Sequence, residues 1–450
     1  MLRIKQLMLA LFASVLFISC GNSGKKAISF NGDIQNPESD SIYLIGDNNF
    51  KKAIPLNNGA FSDTLSLAKP AYLKFYAGRQ FTWVYMIPGD NLTLKTDMNS
   101  FDESLKYEGK TAAENNFLAY KMLKDQEMTG NPSEFFSKNP DDFKKTVTSF
   151  KTGMIAELEK SSSAKEFKEI EKKNIEFAYL MLLAQYPEAN SFFTKQNTPM
   201  PDEFAKEIGE INLDDNTSYE MIPSYKDIVL YQNSIKIDNA KSAADVEKLI
   251  SDLKSDKIKD DVMANLLMYT ISSGGTNAQA YYDIVQKYAK DEDLKKRASA
   301  EFETVKRLLP GSPSPEFVFP DINGNDVELS DLKGKLVYID VWATWCVPCL
   351  QEIPSLKQLE SDYHGKDIHF VSMSIDQRKD FEKWQNMVKE KDLKGIQIFA
   401  DKDWSSQFVR EYNINGIPRF ILLDRDGKII NADAPRPSDA NIRLLIDENI

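Results

Sequence analysis

The chain has 450 residues, 42% of them hydrophobic, and carries 56 basic against 68 acidic side chains for a formal charge of −12. That length fits two to four domains with ample material for cores. An acidic chain without a basic block argues against nucleic-acid binding and fits ordinary solubility.

The chain opens on a targeting pattern. Arg3 and Lys5 precede an apolar stretch, Leu7 to Ile18, broken only by Ser14. Its length suits the core of a signal peptide and falls short of a membrane span. It ends in Phe17-Ile18-Ser19-Cys20, which resembles the bacterial lipobox. The resemblance implies a signal peptide over 1–19, a lipidated Cys20 and a flexible tether over 20–27. The plainer alternative is a secretory signal with an incidental cysteine. Neither Gly21 nor Asn22 is the usual inner-membrane retention residue. By analogy, a periplasm-facing protein anchored in the outer membrane is favoured over the inner one. No later segment is apolar enough to cross a bilayer.

Residues 28–110 read as an antiparallel β domain. Ile42 to Ile45, Tyr72 to Tyr76 and Phe81 to Ile87 are rich in aromatic and β-branched residues, and Leu92 to Thr96 alternates with period two. Asn57-Asn58-Gly59 and Pro88-Gly89-Asp90-Asn91 supply turns. From 111 to 309 the period becomes helical. Ile175, Tyr179, Leu182, Leu183 and Tyr186 share one face, as do Tyr281, Ile284, Val285 and Tyr288. Such stripes are expected to be packing faces. Ser273-Gly274-Gly275-Thr276 ends one helix and starts another. Pro310, Pro313 and Pro315 then mark a linker over 310–316, expected to be an extended, semi-rigid spacer.

The last segment, 317–450, predicts an α/β domain. Asp321 to Leu329 reads as a hairpin around Asn323-Gly324, and Leu336 to Trp342 as a central strand. A helix opens at Cys346-Val347-Pro348-Cys349 and runs to about Tyr363. Next come a strand at 368–375, a helix near 379–391, a strand at 396–399 and a helix near 404–412. A hairpin across Asp426-Gly427 and a last helix near 438–448 finish a mixed sheet with helices on both faces.

The chain has three cysteines, and Cys20 belongs to the leader pattern, so Cys346 and Cys349 are the thiols left for chemistry. Two thiols with two residues between them can close a disulfide within one helical turn when the first sits at the helix start. There the unsatisfied N–H groups and the helix dipole favour thiolate over thiol. Disulfide exchange is the default reading. Cys346 is expected to attack, as the more exposed thiol, and Cys349 to resolve the mixed disulfide. A merely structural pair and half of a zinc site are the duller readings. Zinc would need two more ligands, and His364 and His369 lack zinc-like spacing. Haem attachment would need histidine where Leu350 stands. No metal or organic cofactor is expected. Trp345 is expected to shield the thiolate and border a substrate groove.

Trp342, Trp345, Cys346, Pro348, Cys349, Glu352, Pro354 and Gly416-Ile417-Pro418 together resemble the thioredoxin-like fold, in particular the TlpA and ResA family, as does the opening from Asn323-Gly324 to Gly334. The match covers about the last third of the chain. The resemblance implies that Glu352 tunes the cysteine pair and that Asp340 is a buried carboxylate able to accept the Cys349 proton. The plain alternatives are a solvated helix carboxylate and a strand-end aspartate facing water. The resemblance also implies a cis peptide before Pro418, with the Ile417 backbone presented to an extended substrate. Arg419 departs from the threonine frequent there. Facing the cysteines, it would lower the Cys346 pKa; facing away, it would have no such effect. Pro354 is expected to kink its helix.

Val347-Pro348 resembles the reducing branch of the family. The expected activity is therefore reduction of disulfides in exported proteins, with apocytochromes c and copper-site assembly proteins as family-level substrates. The expected partners are disulfide-bearing envelope proteins and a transmembrane thiol reductant, with the membrane reached through the lipid anchor. A peroxiredoxin-like peroxidase is the enzymatic rival, but Ala343 and Ile339 stand where its pocket needs Thr and Pro. An envelope binding or scaffold lipoprotein with secondary redox activity is the non-enzymatic rival.

Overall fold

The structure is a computed structural model that describes residues 26–47, 50–400 and 402–450. The leader and Cys20 lie outside the described residues. The chain forms two compact units. The first ends at Ile211 and takes in Glu220–Lys226; the second holds Asn212–Tyr219 and Asp227–Ile450. Among the described residues no helix is long and apolar enough to cross a membrane.

The first unit opens with strands β1 (Ala27–Gln35), β2 (Ser41–Ile45), β3 (Lys51–Pro55), β4 (Ala60–Ser66), β5 (Ala71–Ala77), β6 (Gln80–Met86) and β7 (Asn91–Asp97). Helix α1 (Phe101–Ser104) and strand β8 (Lys106–Gly109) follow. They make two four-stranded sheets, ordered β4-β1-β7-β8 and β3-β2-β5-β6. Phe30 and Phe61 of one sheet meet Phe75 of the other, each at a ring separation of 6.2 Å. The sheets are not wholly antiparallel as expected. β1 and β7 pair in parallel, because the crossover between them contains the whole of the second sheet.

Helices α2 (Ala112–Thr129), α3 (Pro132–Phe136), α4 (Pro140–Lys160), α5 (Lys165–Thr194) and α6 (Asp202–Gly209) complete this unit. Tyr85 of β6 packs with Phe117, Leu158, Phe167 and Ile175. The buried Glu171 is satisfied by Lys121, by the Tyr72 hydroxyl at 2.7 Å and by Asn174 at 3.1 Å. A buried charge needs such partners to be tolerated.

Helices α7 (Asn216–Met221) and α8 (Pro223–Asp238) carry the chain from one unit to the other. The second unit continues with α9 (Ala243–Asp252), α10 (Asp256–Val262), α11 (Met268–Ser273), α12 (Ala278–Tyr288) and α13 (Glu292–Val305). Gly274 ends α11 in the left-handed region, as the Ser-Gly-Gly-Thr signal predicts.

The segment expected to be a spacer is instead pinned down. Gly311 N–H donates to the Ile429 carbonyl at 2.8 Å, Ile429 N–H to Ser312 at 2.8 Å and Ser314 N–H to Gly427 at 3.0 Å. Ser314 Oγ also lies 2.6 Å from the Tyr412 hydroxyl. Prolines cannot donate to a ladder, but the residues between them can. The segment therefore borders the last hairpin as a ragged edge.

After it come β9 (Val318–Pro320), β10 (Asp326–Glu328), β11 (Leu336–Trp342), α14 (Val347–Asp362), β12 (Ile368–Ser374), α15 (Phe381–Glu390), β13 (Ile396–Phe399), α16 (Gln407–Glu411), β14 (Arg419–Leu423), β15 (Ile429–Asn431) and α17 (Asn441–Asp447). The main sheet runs β13-β12-β11-β14-β15. β11 pairs in parallel with β12 and antiparallel with β14. Every residue of β11 is buried, as a central strand covered on both faces requires. Leu336 and Tyr338 pack with Leu356 and Leu359 of α14, which fixes that helix on one face of the sheet.

Candidate active site

The site forms where β11 ends and α14 begins. Cys346 is the N-cap of α14, and its Sγ accepts the Cys349 N–H at 3.2 Å. Pro348 fits the first turn, where its missing N–H removes a donor that has no helical partner. No carboxylate occupies that turn. Helix-end donors therefore act on the sulfur without a competing negative charge from that turn. Cys346 and Cys349 form a disulfide. Cys346 is not the more exposed thiol: the two residues are 3% and 4% exposed. In the closed pair the Cys346 sulfur is turned onto the helix and bonded to its neighbour. The exposed groups beside it are Trp345 and Val347, at 49% and 62%.

The turn that presents Cys346 is braced from the next strand. The buried Asp376, just beyond β12, accepts the Thr344 N–H at 2.9 Å and the Thr344 hydroxyl at 2.7 Å. It also accepts the Ser374 hydroxyl at 2.8 Å. Asp376→Ala would strand these buried donors, and should lower stability by about 2–3 kcal/mol in urea unfolding. A change below about 0.5 kcal/mol, the scale of an inert surface substitution, would contradict this bracing.

Asp340 is buried on β11, so it is not a strand-end carboxylate facing water. Leu336 and Tyr338 face α14, and Asp340 shares their side of the strand. Burial pushes its pKa up to about 8, with the charges of Glu352 and then Glu360 adding to the rise and the Ser372 hydroxyl opposing it. The same burial, with Asp340 and Glu352 nearby, lifts the Tyr338 phenol well above its ordinary range. Glu352 is half-buried on α14. It is held by Ser438, whose N–H donates at 3.1 Å and whose hydroxyl donates at 2.9 Å. Glu352 is therefore fixed in place rather than freely solvated, and its charge reaches Asp340.

Ile417-Pro418 is a cis peptide, followed at once by β14. Arg419 points away from the cysteines. Its guanidinium donates to the Ala432 carbonyl at 2.8 Å and to the Ser273 carbonyl at the end of α11, and lies 3.4 Å from the Asp433 carboxylate. Asn413 adds a bond to the Ser272 carbonyl at 2.8 Å. Arg419 thus ties the end of α11 to the start of β14, and Asn413 ties it to the loop that leads to Pro418. Pro354 lies inside α14. His364 and His369 line a cleft at the far end of that helix. Among the described residues no cluster of three metal-ligating side chains forms.

Sequence reasoning missed Asp376, Trp404 and Glu360. Trp404 is 38% exposed and its ring lies 6.3 Å from that of Trp345, which widens the exposed aromatic surface beside the disulfide. Asp376 follows the carboxyl end of a parallel strand, where sites in α/β sheets concentrate. Glu360 stands eight residues after Glu352, so helical spacing alone could have placed the two on one side of α14.

The Redoxin family matches residues 309–443. A thiol-disulfide oxidoreductase ResA of Bacillus cereus is 33% identical over 129 residues, 29% of this chain and 72% of that protein. The ResA of Bacillus subtilis is 30% identical over 132 residues, 29% of this chain and 71% of that protein. A solution structure of a Bacteroides vulgatus protein assigned as a thiol-disulfide oxidoreductase is 57% identical, covering 31% of this chain and 89% of that one at a TM-score of 0.28. The N-capping cysteine, its partner one turn on and the buried Asp340 lie within the matched stretch. Through this domain the chain belongs to the ResA family of thiol-disulfide oxidoreductases.

Proposed function

We propose that this oxidoreductase works as a disulfide reductase in the bacterial envelope, tethered through a lipid on Cys20 and facing the periplasm from the outer membrane. The observation that carries this reading is the Cys346–Cys349 pair at the start of α14, with Asp340 buried on the strand below. Val347-Pro348 between the cysteines and the leader pattern support the direction and the location.

In the reduced enzyme the Cys346 thiolate attacks one sulfur of a substrate disulfide. A Cys346–substrate S–S bond forms, the substrate bond breaks, and the departing sulfur takes a proton from water. Cys349 then gives its proton to Asp340 and attacks Cys346 Sγ. The second substrate sulfur leaves as a thiolate. The substrate has gained two electrons and the enzyme pair has lost them. A transmembrane thiol reductant returns the pair to the dithiol. Trp345, Trp404 and the backbone at Ile417 border the place where an extended substrate segment would lie. Disulfide-bearing envelope proteins, apocytochromes c and copper-site assembly proteins among them, are the substrates this reading favours.

The reduction potential tests it. Equilibration of the full chain with glutathione or dithiothreitol buffers should give a two-electron couple near that of thioredoxin, about −270 mV. A value near about −120 mV, that of a strong oxidant such as DsbA, would overturn the reductase role.

A further inference from the structure

The sheet face beneath α14 carries a line of polar side chains that runs away from the cysteines. Asp340 on β11 is in register with Ser372 on β12, and Ser372 with Gln397 on β13. Partners in register share a face, and neighbouring strands lie about 4.8 Å apart. The Ser372 hydroxyl bonds to the Asp340 carboxylate. Gln397 is 5% exposed, and its Oε1 is buried with no hydrogen-bond partner. A buried amide oxygen left in that condition is costly to folding, so its retention calls for an explanation.

Glu360 closes the line. A Cβ on residue 395 would come within 2.7 Å of Glu360 Oε1, and Gly395 leaves that space free. Gly395 directly precedes β13, two residues before Gln397. Glu360 also lines a cleft of about 450 Å³, with Lys357, His364, His369 and Lys394 around it. The cleft lies at the carboxyl end of α14 and the amino ends of β12 and β13. The disulfide lies at the opposite ends of the same helix and sheet.

We propose that Ser372, Gln397 and Glu360 form a proton route from the Asp340 carboxyl to water in the cleft behind α14. This rests on the reading of Asp340 as the base for Cys349. A docked substrate covers Trp345, Val347 and the cysteines, and so closes the front of the site. The back stays open. Asp340 takes the Cys349 proton and passes it through the Ser372 hydroxyl. A water donating to Gln397 Oε1 carries it on to Glu360, which releases it to the cleft. No electrons move along this route.

The groups facing each station are Glu352, Glu360, Tyr338 and Ser372 around Asp340. Around Glu360 they are Asp340 and Lys357, with His364, His369 and Lys394 across the cleft. Burial lifts Glu360 to about 7, against the opposing charge of Lys357, and Asp340 to about 8. Carboxyls with such closely spaced values exchange a proton at neutral pH with little energy lost in either direction.

The test is single-turnover resolution of a mixed disulfide by the full-length reduced protein, followed against pH and imidazole concentration. Gln397→Met keeps the side-chain length and removes the acceptor. Glu360→Gln removes the terminal station. Each should slow resolution about tenfold at pH 7 with an unchanged redox potential, and added imidazole should restore the rate. Glu360→Gln should also move the rising limb of the profile to lower pH, because a negative charge near Asp340 is gone. Wild-type rates in both variants at every imidazole concentration would overturn the route. If Asp340→Asn is slow while both variants are not, the route fails and the base assignment stands. If Asp340→Asn is also unchanged, both fall.

Discussion

Cys349→Ser will hold substrate on the enzyme as a stable mixed disulfide, and multiple turnover will fall by at least about 10³-fold. The geometry sets this result. Cys346 Sγ caps α14 and accepts the backbone N–H of residue 349, a bond that a serine there leaves in place. The attacking thiolate is therefore still stabilised. What is lost is the sulfur that closes onto Cys346 one turn into the helix. A serine oxygen cannot form that bond, so the adduct has no internal route of release. Cys346→Ser should be equally inactive and form no adduct. Non-reducing gels of each variant with oxidised insulin separate the cases. Adducts on Cys346→Ser, or sustained turnover by Cys349→Ser, would reverse the roles given to the two thiols.

Asp340→Asn should slow mixed-disulfide resolution by about 10²-fold at pH 7, the usual scale of a lost general base, and flatten its dependence on pH. Only the ionised carboxylate can take the Cys349 proton. With a pKa of about 8 it is mostly protonated at neutrality, so the wild-type rate should climb as the pH rises toward 8. The same substitution should stabilise the protein in alkali. The folded carboxyl binds its proton far more tightly than the ordinary value of 3.8 allows. Its favourable contribution is complete below pH 3.8 and is lost as the pH rises through about 8. Asparagine never ionises. Between pH 4 and pH 9, Asp340→Asn should therefore gain about 3–5 kcal/mol relative to wild type. Urea unfolding at the two pH values measures this. A variant that loses stability relative to wild type on going to alkali would contradict the burial assigned to Asp340.

Local chemistry made much of this site legible. The cysteine spacing, the proline in the first turn and the apolar run of β11 each depend on neighbours within a few residues, and the helix and sheet formed where those patterns stood. Within β1, Asn31-Gly32 runs straight on without a turn, and a Cβ at Gly32 would come within 2.2 Å of the Phe61 ring, a contact no local pattern announces. The Pro310 to Pro315 segment misled: its prolines mark the end of a helix, while the donors between them find the last hairpin. Arg419 could not be oriented from sequence, because its partner Ser273 lies 146 residues away. The line from Asp340 through Ser372 to Gln397 is a matter of register among three strands, which no local pattern encodes.

Alkylation of the reduced protein as a function of pH tests the central claim most directly. With Cys349→Ser present, the remaining reactive thiol of the domain is Cys346, at the start of α14. Its reaction with iodoacetamide should rise with a midpoint below about 7.5, as a helix-capping thiolate requires. A single rise near about 8.5, the value of an unperturbed cysteine, would contradict an activated nucleophile at residue 346.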